Sequence, residues 1–469
     1  MRVLAVSVAP LFKGLVHGGS QRVLTAVVAA LAEAGHEVRV LCSRRPENKG
    51  GFTLIRGVRV EPSLRLSGTF PSPYEVAPYR LTETASALQV AAQWADRTYL
   101  HADAIFMRDI LAGRPVIRSL HDFLYEEALL SAFTLPASLT IVPSDYLRRC
   151  IEASVRQNGS RTLGPVRVIP NGVEVPERPP RPVAPAGATP RSSGDIVLLY
   201  PHRPDIRKGI REALQVTAEL KRRRPRARVR LLVAAHVDEG IEGAPKDYRA
   251  QVEVAAQEFG AERSVEFHAW LPEVRMGSLY AFGDVTLCIG RFIESFGLVP
   301  VESVVAGTPA VCTRVGALRE LEGLPGLRHI PFGDIAAATD AVESCVDIQF
   351  NRMEAAREVN KRFSLAGMKQ AYVEAITGPL HRPSPAASKP VISHDLFELA
   401  PWCHVDGNRI YNDYEYGYAD FKDLARFLAA GKPGTTGEAR FNPAQARRSG
   451  VKQADLDRAL SRGLLVLAS

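Results

Sequence analysis

Twice along this chain of 469 residues, short apolar runs alternate with amphipathic stretches, and a proline-rich segment separates the two series. In the first series, 2–8, 37–42, 104–107, 116–120, 139–142 and 166–169 read as strands, and 20–34 has the period of a helix stopped by Gly35. The second series offers strands at 196–200, 229–234, 265–268, 285–289 and 310–313, again with helical stretches between them. Strands alternating with helices call for parallel sheets built from βαβ units. The expected fold class is α/β, with two Rossmann-like, doubly wound domains facing each other. Ligands of such sheets bind beyond the carboxyl ends of the strands, so the expected site is a cleft between the halves.

The breaks set the limits. An N-terminal domain spans 1–175. A linker over 176–195 carries Pro176, Pro179, Pro180, Pro182, Pro185 and Pro190. The second domain runs over 196–378, and a further break over 379–392 leads into an accessory module, 393–469. Within that module, 410–416 is tyrosine-rich and β-like, and 418–430 reads as a helix. A second helix at 455–462, closed by Gly463, feeds a strand at 464–467. It reads as a small α+β unit of winged-helix-like character.

Hydrophobic residues make up 46% and charged residues 23%, which gives large cores and excludes a disordered, collagen-like or disulfide-scaffold chain. No uncharged apolar run approaches the roughly 18 residues that a membrane span needs, and the N-terminus has no signal-peptide pattern. Six cysteines lie scattered without a CxxC spacing, as reduced core residues would. A cytoplasmic location is therefore expected. Lys and Arg exceed Asp and Glu by 59 to 51, a net charge of +8. The densest basic run, 221–230, falls between a helix and a strand and has no interleaved aromatics, so no nucleic-acid partner is expected. It reads as a solvated turn with at most weak attraction to an anionic membrane surface.

Three places carry candidate chemistry. Gly18-Gly19 lies between the first strand and a helix, where backbone N–H groups can approach a diphosphate. It is not G-x-G-x-x-G, and Cys42-Ser43-Arg44 puts no carboxylate after the next strand, so a nicotinamide fingerprint is absent. Arg203 and Lys208 follow the first strand of the second domain, where two cations would neutralise a charged leaving group. Glu294 and Glu302 stand eight apart. They share a face if both are helical; if Ser295, Phe296, Gly297 and Leu298 start the helix, its open N–H groups meet an anion. No metal site is expected: a D-x-D occurs only at Asp455-Leu456-Asp457 on a tail helix, and no paired Cys/His spacing is present.

The string E-S-F-G-L-V-P-V-E-S with A-G-T-P resembles the E-x7-E signature of retaining GT-B glycosyltransferases, family 4. Gly18-Gly19, His121-Asp122, the strand end at 142–146, Pro170-Asn171-Gly172-Val173 and Arg203 with Lys208-Gly209 fall in that family's order, over about residues 1–377. Two positions depart from it: His202 stands for the usual Gly, and Gly290-Arg291 for the usual Pro-Ser. The resemblance implies that Arg203 and Lys208 bind the donor diphosphate, and that Ser295, Phe296, Gly297 and Leu298 supply backbone contacts. Glu294 would meet sugar hydroxyls, Glu302 the ribose, and His121 the reaction centre. Trp270 and Leu271 are candidates for the base pocket.

It further implies a retaining, metal-independent transferase without a cofactor, taking a UDP- or GDP-sugar as donor. The acceptor could be a small molecule, a lipid or a peptide, from natural-product or cell-envelope biosynthesis. The irregular stretch 44–79 is a candidate acceptor lid, and the tail a candidate for homo-oligomer contact. Alternatives are a silent sugar-nucleotide-binding or scaffold protein of the same fold, and a UDP-sugar epimerase.

Overall fold

The computed structural model of the protein describes residues 1–14, 18–55, 57–66, 76–101, 110–157, 162–235, 247–348, 350–380, 396–431 and 440–468. The expected strand at 104–107 lies outside these residues. The first sheet joins β1 (Arg2–Ser7), β2 (Glu37–Ser43), β3 (Phe52–Ile55), β4 (Val58–Leu64), β5 (Arg97–His101), β6 (Val116–Ser119), β7 (Leu139–Val142) and β8 (Val166–Val168). Their order is β3-β4-β2-β1-β5-β6-β7-β8, parallel except where β3 pairs with β4. The second sheet holds β9 (Asp195–Tyr200), β10 (Arg228–Ala234), β11 (Val265–His268), β12 (Val285–Cys288), β13 (Ala310–Thr313) and β14 (Leu327–Ile330). It is wholly parallel, in the order β11-β10-β9-β12-β13-β14.

Alternation along each central strand feeds two cores at once. On β9, Ile196, Leu198 and Tyr200 enter the core under helix Ile210–Arg223, while Val197 and Leu199 enter the opposite one with Leu279 and Phe282. On β1, Val3 and Ala5 pack beneath helix Gly18–Glu33, and Leu4 and Val6 face helix Pro78–Trp94.

Helix Leu365–Thr377 crosses back to the first domain. Its Met368, Tyr372, Ala375 and Ile376 lie in the core formed by β1 and helix Gly18–Glu33. The stretch expected as the second domain, 196–378, thus ends in a helix that packs on the first-domain core, because its apolar face finds its partner there. Gly172 receives it: a Cβ at that position would stand 2.5 Å from the Leu365 Cα. Within the stretch 44–79, expected to be irregular, Phe52–Ile55 and Val58–Leu64 form β3 and β4 at the sheet edge; residues 67–75 lie outside the described residues.

Arginines 223 and 224 of the basic run are bound to Glu219, Asp340, Glu343 and Asp347, and Arg230 is buried against Asp195 and Glu266. Part of the run is thus paired with carboxylates of its own domain, while Lys221, Arg222, Arg226 and Arg228 remain exposed. The cysteines of the described residues are free, and all but the half-buried Cys345 are buried. No helix among the described residues is long and apolar enough to cross a membrane.

The tail contains an antiparallel sheet of β16 (Cys403–Asp406), β17 (Arg409–Asn412) and β18 (Gly417–Ala419), and a pair of β15 (Phe397–Leu399) with β19 (Leu465–Leu467). Helices Lys422–Ala430, Pro443–Arg448 and Gln453–Ser461 complete its own core. Asp455 and Asp457 lie on the last of these helices, bonded locally to Arg458 and Gln453.

Candidate active site

The strand ends converge as the topology requires. In the second domain, the chain leaves β9, makes the turn Ile206–Lys208 and enters a helix through Gly209 at φ 93°. The segment following β12 crosses it closely: a Cβ on Gly290 would lie 2.2 Å from the Lys208 carbonyl carbon, and one on Gly209 2.6 Å from the Gly290 Cα. The amides of Arg291 and Phe292 both donate to the Arg207 carbonyl at 2.8 Å. Glycine at 290 is thus a packing requirement.

The crossing brings Lys208 Nζ to 2.6 Å from Glu294 Oε1, with the ammonium 3.6 Å from the Phe292 ring centre. Arg203, at 44% side-chain exposure, faces the cleft and reaches the Tyr125 hydroxyl at 3.3 Å. Its neighbour Arg207 is held by Asp205, which accepts from the Arg207 guanidinium and its amide.

Of the two arrangements open for the glutamates, the structure has the second. Helix Leu298–Ala306 starts after Gly297 at φ 97°, so Glu294 projects from the loop and Glu302 from within the helix. The open N–H groups of the first turn face the cleft with the positive end of the helix dipole. Phe296 contributes backbone only, since its ring is buried edge-on to Phe363. Across the cleft, a Cβ on Gly19 would stand 2.8 Å from Leu298 Cδ1, which seats the glycine pair directly on this segment. Arg22, one turn further on, ion-pairs with Glu302 and with Glu273 at 2.6 Å. The Tyr280 hydroxyl donates to the other Glu302 oxygen at 3.1 Å.

The first domain contributes a histidine pair. His121 follows β6, bonded through Nε2 to the Ser119 hydroxyl at 3.0 Å, and its ring lies 4.4 Å from that of His101 at the end of β5. His101 is in turn held by Tyr99 and Ser20, each at 2.9 Å. Burial lowers His121 to about 4, and burial together with the neighbouring imidazole pushes His101 well down. Both rings are neutral at pH 7. Burial also raises the Asp122 carboxyl, against the pull of the Leu124 and Tyr125 amides.

A family model described as "Glycosyl transferases group 1" matches residues 187–362, and one described as "Glycosyltransferase Family 4" matches 17–177. The chain belongs to the GT-B glycosyltransferases of family 4. The glycogen synthase of Mycobacterium tuberculosis is 26% identical over 438 residues, covering 84% of this chain and 99% of that protein. A D-inositol 3-phosphate glycosyltransferase of Corynebacterium jeikeium is 30% identical over 160 residues, covering 33% and 36% of the two chains. Among solved structures, a sucrose-phosphate synthase of Thermosynechococcus elongatus superposes with TM-score 0.62 at 18% identity, covering 80% of this chain and 98% of its own. Anabaena HepE in complex with UDP-glucose gives 0.59 at 19%, covering 80% and 99%.

In this glycosyltransferase the structure gathers Gly18, Gly19, Arg203, Lys208, Glu294, Ser295, Gly297, Leu298 and Glu302 at one cleft, with His121 on its first-domain side. Leu271 packs in the cluster that contains Tyr280, the partner of Glu302, and Trp270 beside it is 38% exposed. The departure at His202 is absorbed by the core, where its Nε2 meets the Leu287 carbonyl at 2.8 Å. Sequence reasoning missed Arg22, Tyr125, Tyr280 and His101. A signal existed for the last alone: a histidine ending a strand of a doubly wound sheet points at the ligand edge. Among the described residues, no three His, Cys, Asp or Glu side chains are grouped to hold a metal ion.

Proposed function

We infer that this glycosyltransferase takes its sugar from a nucleoside-diphosphate sugar, with UDP-glucose the first donor to test, and transfers it with retention and without a metal ion. The observation that carries the reading is the Lys208–Glu294 pair at the start of helix Leu298–Ala306, with Arg203 facing the same cleft. A diphosphate seated there would meet two cations and the open amides of a helix start, the groups needed to stabilise it as it departs. Glu294 is then positioned for the sugar hydroxyls and Glu302 for the ribose.

In the reaction the bond from the anomeric carbon to the diphosphate oxygen breaks, and a bond to the acceptor oxygen forms on the same face. The acceptor proton passes to the departing phosphate oxygen. His121, neutral at pH 7, offers a hydrogen bond rather than a charge, and the cations carry the electrostatic load. The acceptor is a small molecule, lipid or peptide bound on the first-domain side. Calorimetry with UDP, GDP, ADP and TDP and their glucose conjugates tests the donor, and NMR of the product's anomeric configuration tests retention. Binding of no nucleotide, or an inverted product, overturns the corresponding part.

A further inference from the structure

The family-model matches end at residue 362, yet one turn of the tail reaches all three loops of the site. That turn, 413–416, joins β17 to β18. Its Asp413 side chain is completely buried and accepts four hydrogen bonds. Oδ1 takes Arg319 Nη1 at 2.9 Å and the Gly316 amide at 3.2 Å. Oδ2 takes Arg319 Nη2 and the first-domain Tyr146 hydroxyl, both at 2.8 Å.

Gly316 and Ala317 in turn hold Glu294. The Ala317 amide donates to the Glu294 carbonyl at 2.8 Å, and a Cβ on Gly316 would press on the Glu294 backbone at 2.6 Å. Tyr414 donates to the carbonyl of Phe123, two residues beyond His121, at 3.0 Å. Tyr416 is close enough to the Arg207 guanidinium, next to Lys208, to help raise its pKa, and its ring lies 5.6 Å from the Arg291 guanidinium. Tyr416 has φ 55°, the only positive value at a non-glycine among the described residues. A bulky side chain adopts that conformation only where its surroundings enforce it, and such positions cluster at functional sites.

We propose that Asp413 is a positioning residue of the donor site: by fixing Gly316 and Ala317 it sets the backbone that aims Glu294, so that the tail is required to seat the donor sugar. This rests on the donor reading above. Lys208 and Arg203 bind the diphosphate without help from Asp413, whereas Glu294 and the sugar depend on it. Asp413 thereby acts on the sugar end of the donor and not on the nucleotide end.

The test is calorimetry of the full chain with UDP and, separately, with UDP-glucose, together with slow hydrolysis of UDP-glucose. Asp413→Asn should bind UDP within about 3-fold of the unaltered chain, but lose about 10-fold in UDP-glucose affinity and about 10-fold in kcat of hydrolysis. Tyr146→Phe removes one hydroxyl from the same carboxylate and should show the same pattern more weakly, which covers an Asp413 variant that fails to fold. Hydrogen exchange over 290–297 and 314–319 should quicken in either variant. Equal losses for UDP and UDP-glucose, or a folded variant with unaltered sugar binding and exchange, would overturn the proposal. If the unaltered chain binds no nucleotide, the donor reading falls; unchanged exchange in the variants then overturns the positioning role on its own.

Discussion

Lys208 of the loop after β9 and Glu294 of the loop after β12 are 86 residues apart in sequence and meet at 2.6 Å. Their side chains are largely shielded, at 12% and 24% exposure, so neither charge is quenched by bulk water as a surface pair would be. An incoming diphosphate and the Glu294 carboxylate therefore compete for one ammonium. On the donor reading proposed above, the cation would be shared between the phosphate and Glu294, which would tie the residue proposed to hold the sugar to the leaving group.

This competition gives the two partners opposite signs. Lys208→Ala should weaken UDP binding by about 10-fold or more, because the diphosphate loses a cation and keeps an unneutralised carboxylate nearby. Glu294→Ala should leave UDP binding equal or tighter while lowering kcat for transfer by about 100-fold. Calorimetry beside steady-state kinetics reads both; a Glu294→Ala chain with full turnover would show that the carboxylate does not serve the reaction.

Gly290→Ala tests the loop crossing itself. A Cβ at 2.2 Å from the Lys208 carbonyl carbon forces backbone to move against backbone, and the displaced group is the one that aims Lys208. UDP affinity should fall by about 10-fold, with a loss of about 1–3 kcal/mol in stability. A control at Gly50, where an added Cβ meets nothing within 4 Å and which, like Gly290, has no positive φ, separates the crossing from a general effect of replacing glycine.

The sheets were readable where buried strands are plain apolar runs, as in Asp195–Tyr200, and the Glu294–Glu302 spacing was readable because a helix start fixes its geometry. β5 escaped notice because Arg97–His101 carries Thr98 and His101 at buried positions, which breaks the apolar pattern. The crossing of helix Leu365–Thr377 left no local mark: its periodicity states that one face is apolar but not which core receives it. Asp413 sits in Asn-Asp-Tyr-Glu-Tyr, a string typical of an exposed turn. Only Arg319, 94 residues earlier, accounts for its burial, and the tail, expected as an accessory module, is docked on both domains. Arg22 was invisible for the same reason, since its partner Glu302 lies 280 residues away.

Acid should unfold this protein earlier than its carboxylates alone would require. His101, His121 and His404 are all held neutral by burial, with His121 at about 4 and His404 at about 3. In the unfolded chain each takes up a proton near pH 6.5. The unfolded state thus binds more protons between pH 6.5 and about 4, and stability rises with pH across that window. The contribution is complete above pH 6.5 and is lost as pH falls toward 4, on the order of 1–3 kcal/mol per buried ring at most. Denaturant midpoints measured from pH 7.5 to 4.5 should fall steadily; a flat profile would contradict the burial of these rings.

Arg230 supplies a contrast between two kinds of ion pair. Its guanidinium, 1% exposed, donates to both Glu266 oxygens at 2.9 and 2.7 Å, to Asp195 at 2.9 Å and to the Thr189 carbonyl at 2.6 Å. Removing it strands two carboxylates against the strap that joins the domains, so Arg230→Ala should cost about 3–5 kcal/mol at pH 7. Protonating those carboxylates relieves the repulsion, so the deficit should shrink as pH falls toward 4. The exposed Arg2–Asp96 pair, at 47% and 41%, is the comparison, and Arg2→Ala should leave the urea midpoint nearly unchanged. Urea unfolding of both variants at two pH values decides the matter. A pH-independent loss at Arg230 would mean that packing of its side-chain stem, and not the buried charges, dominates that site.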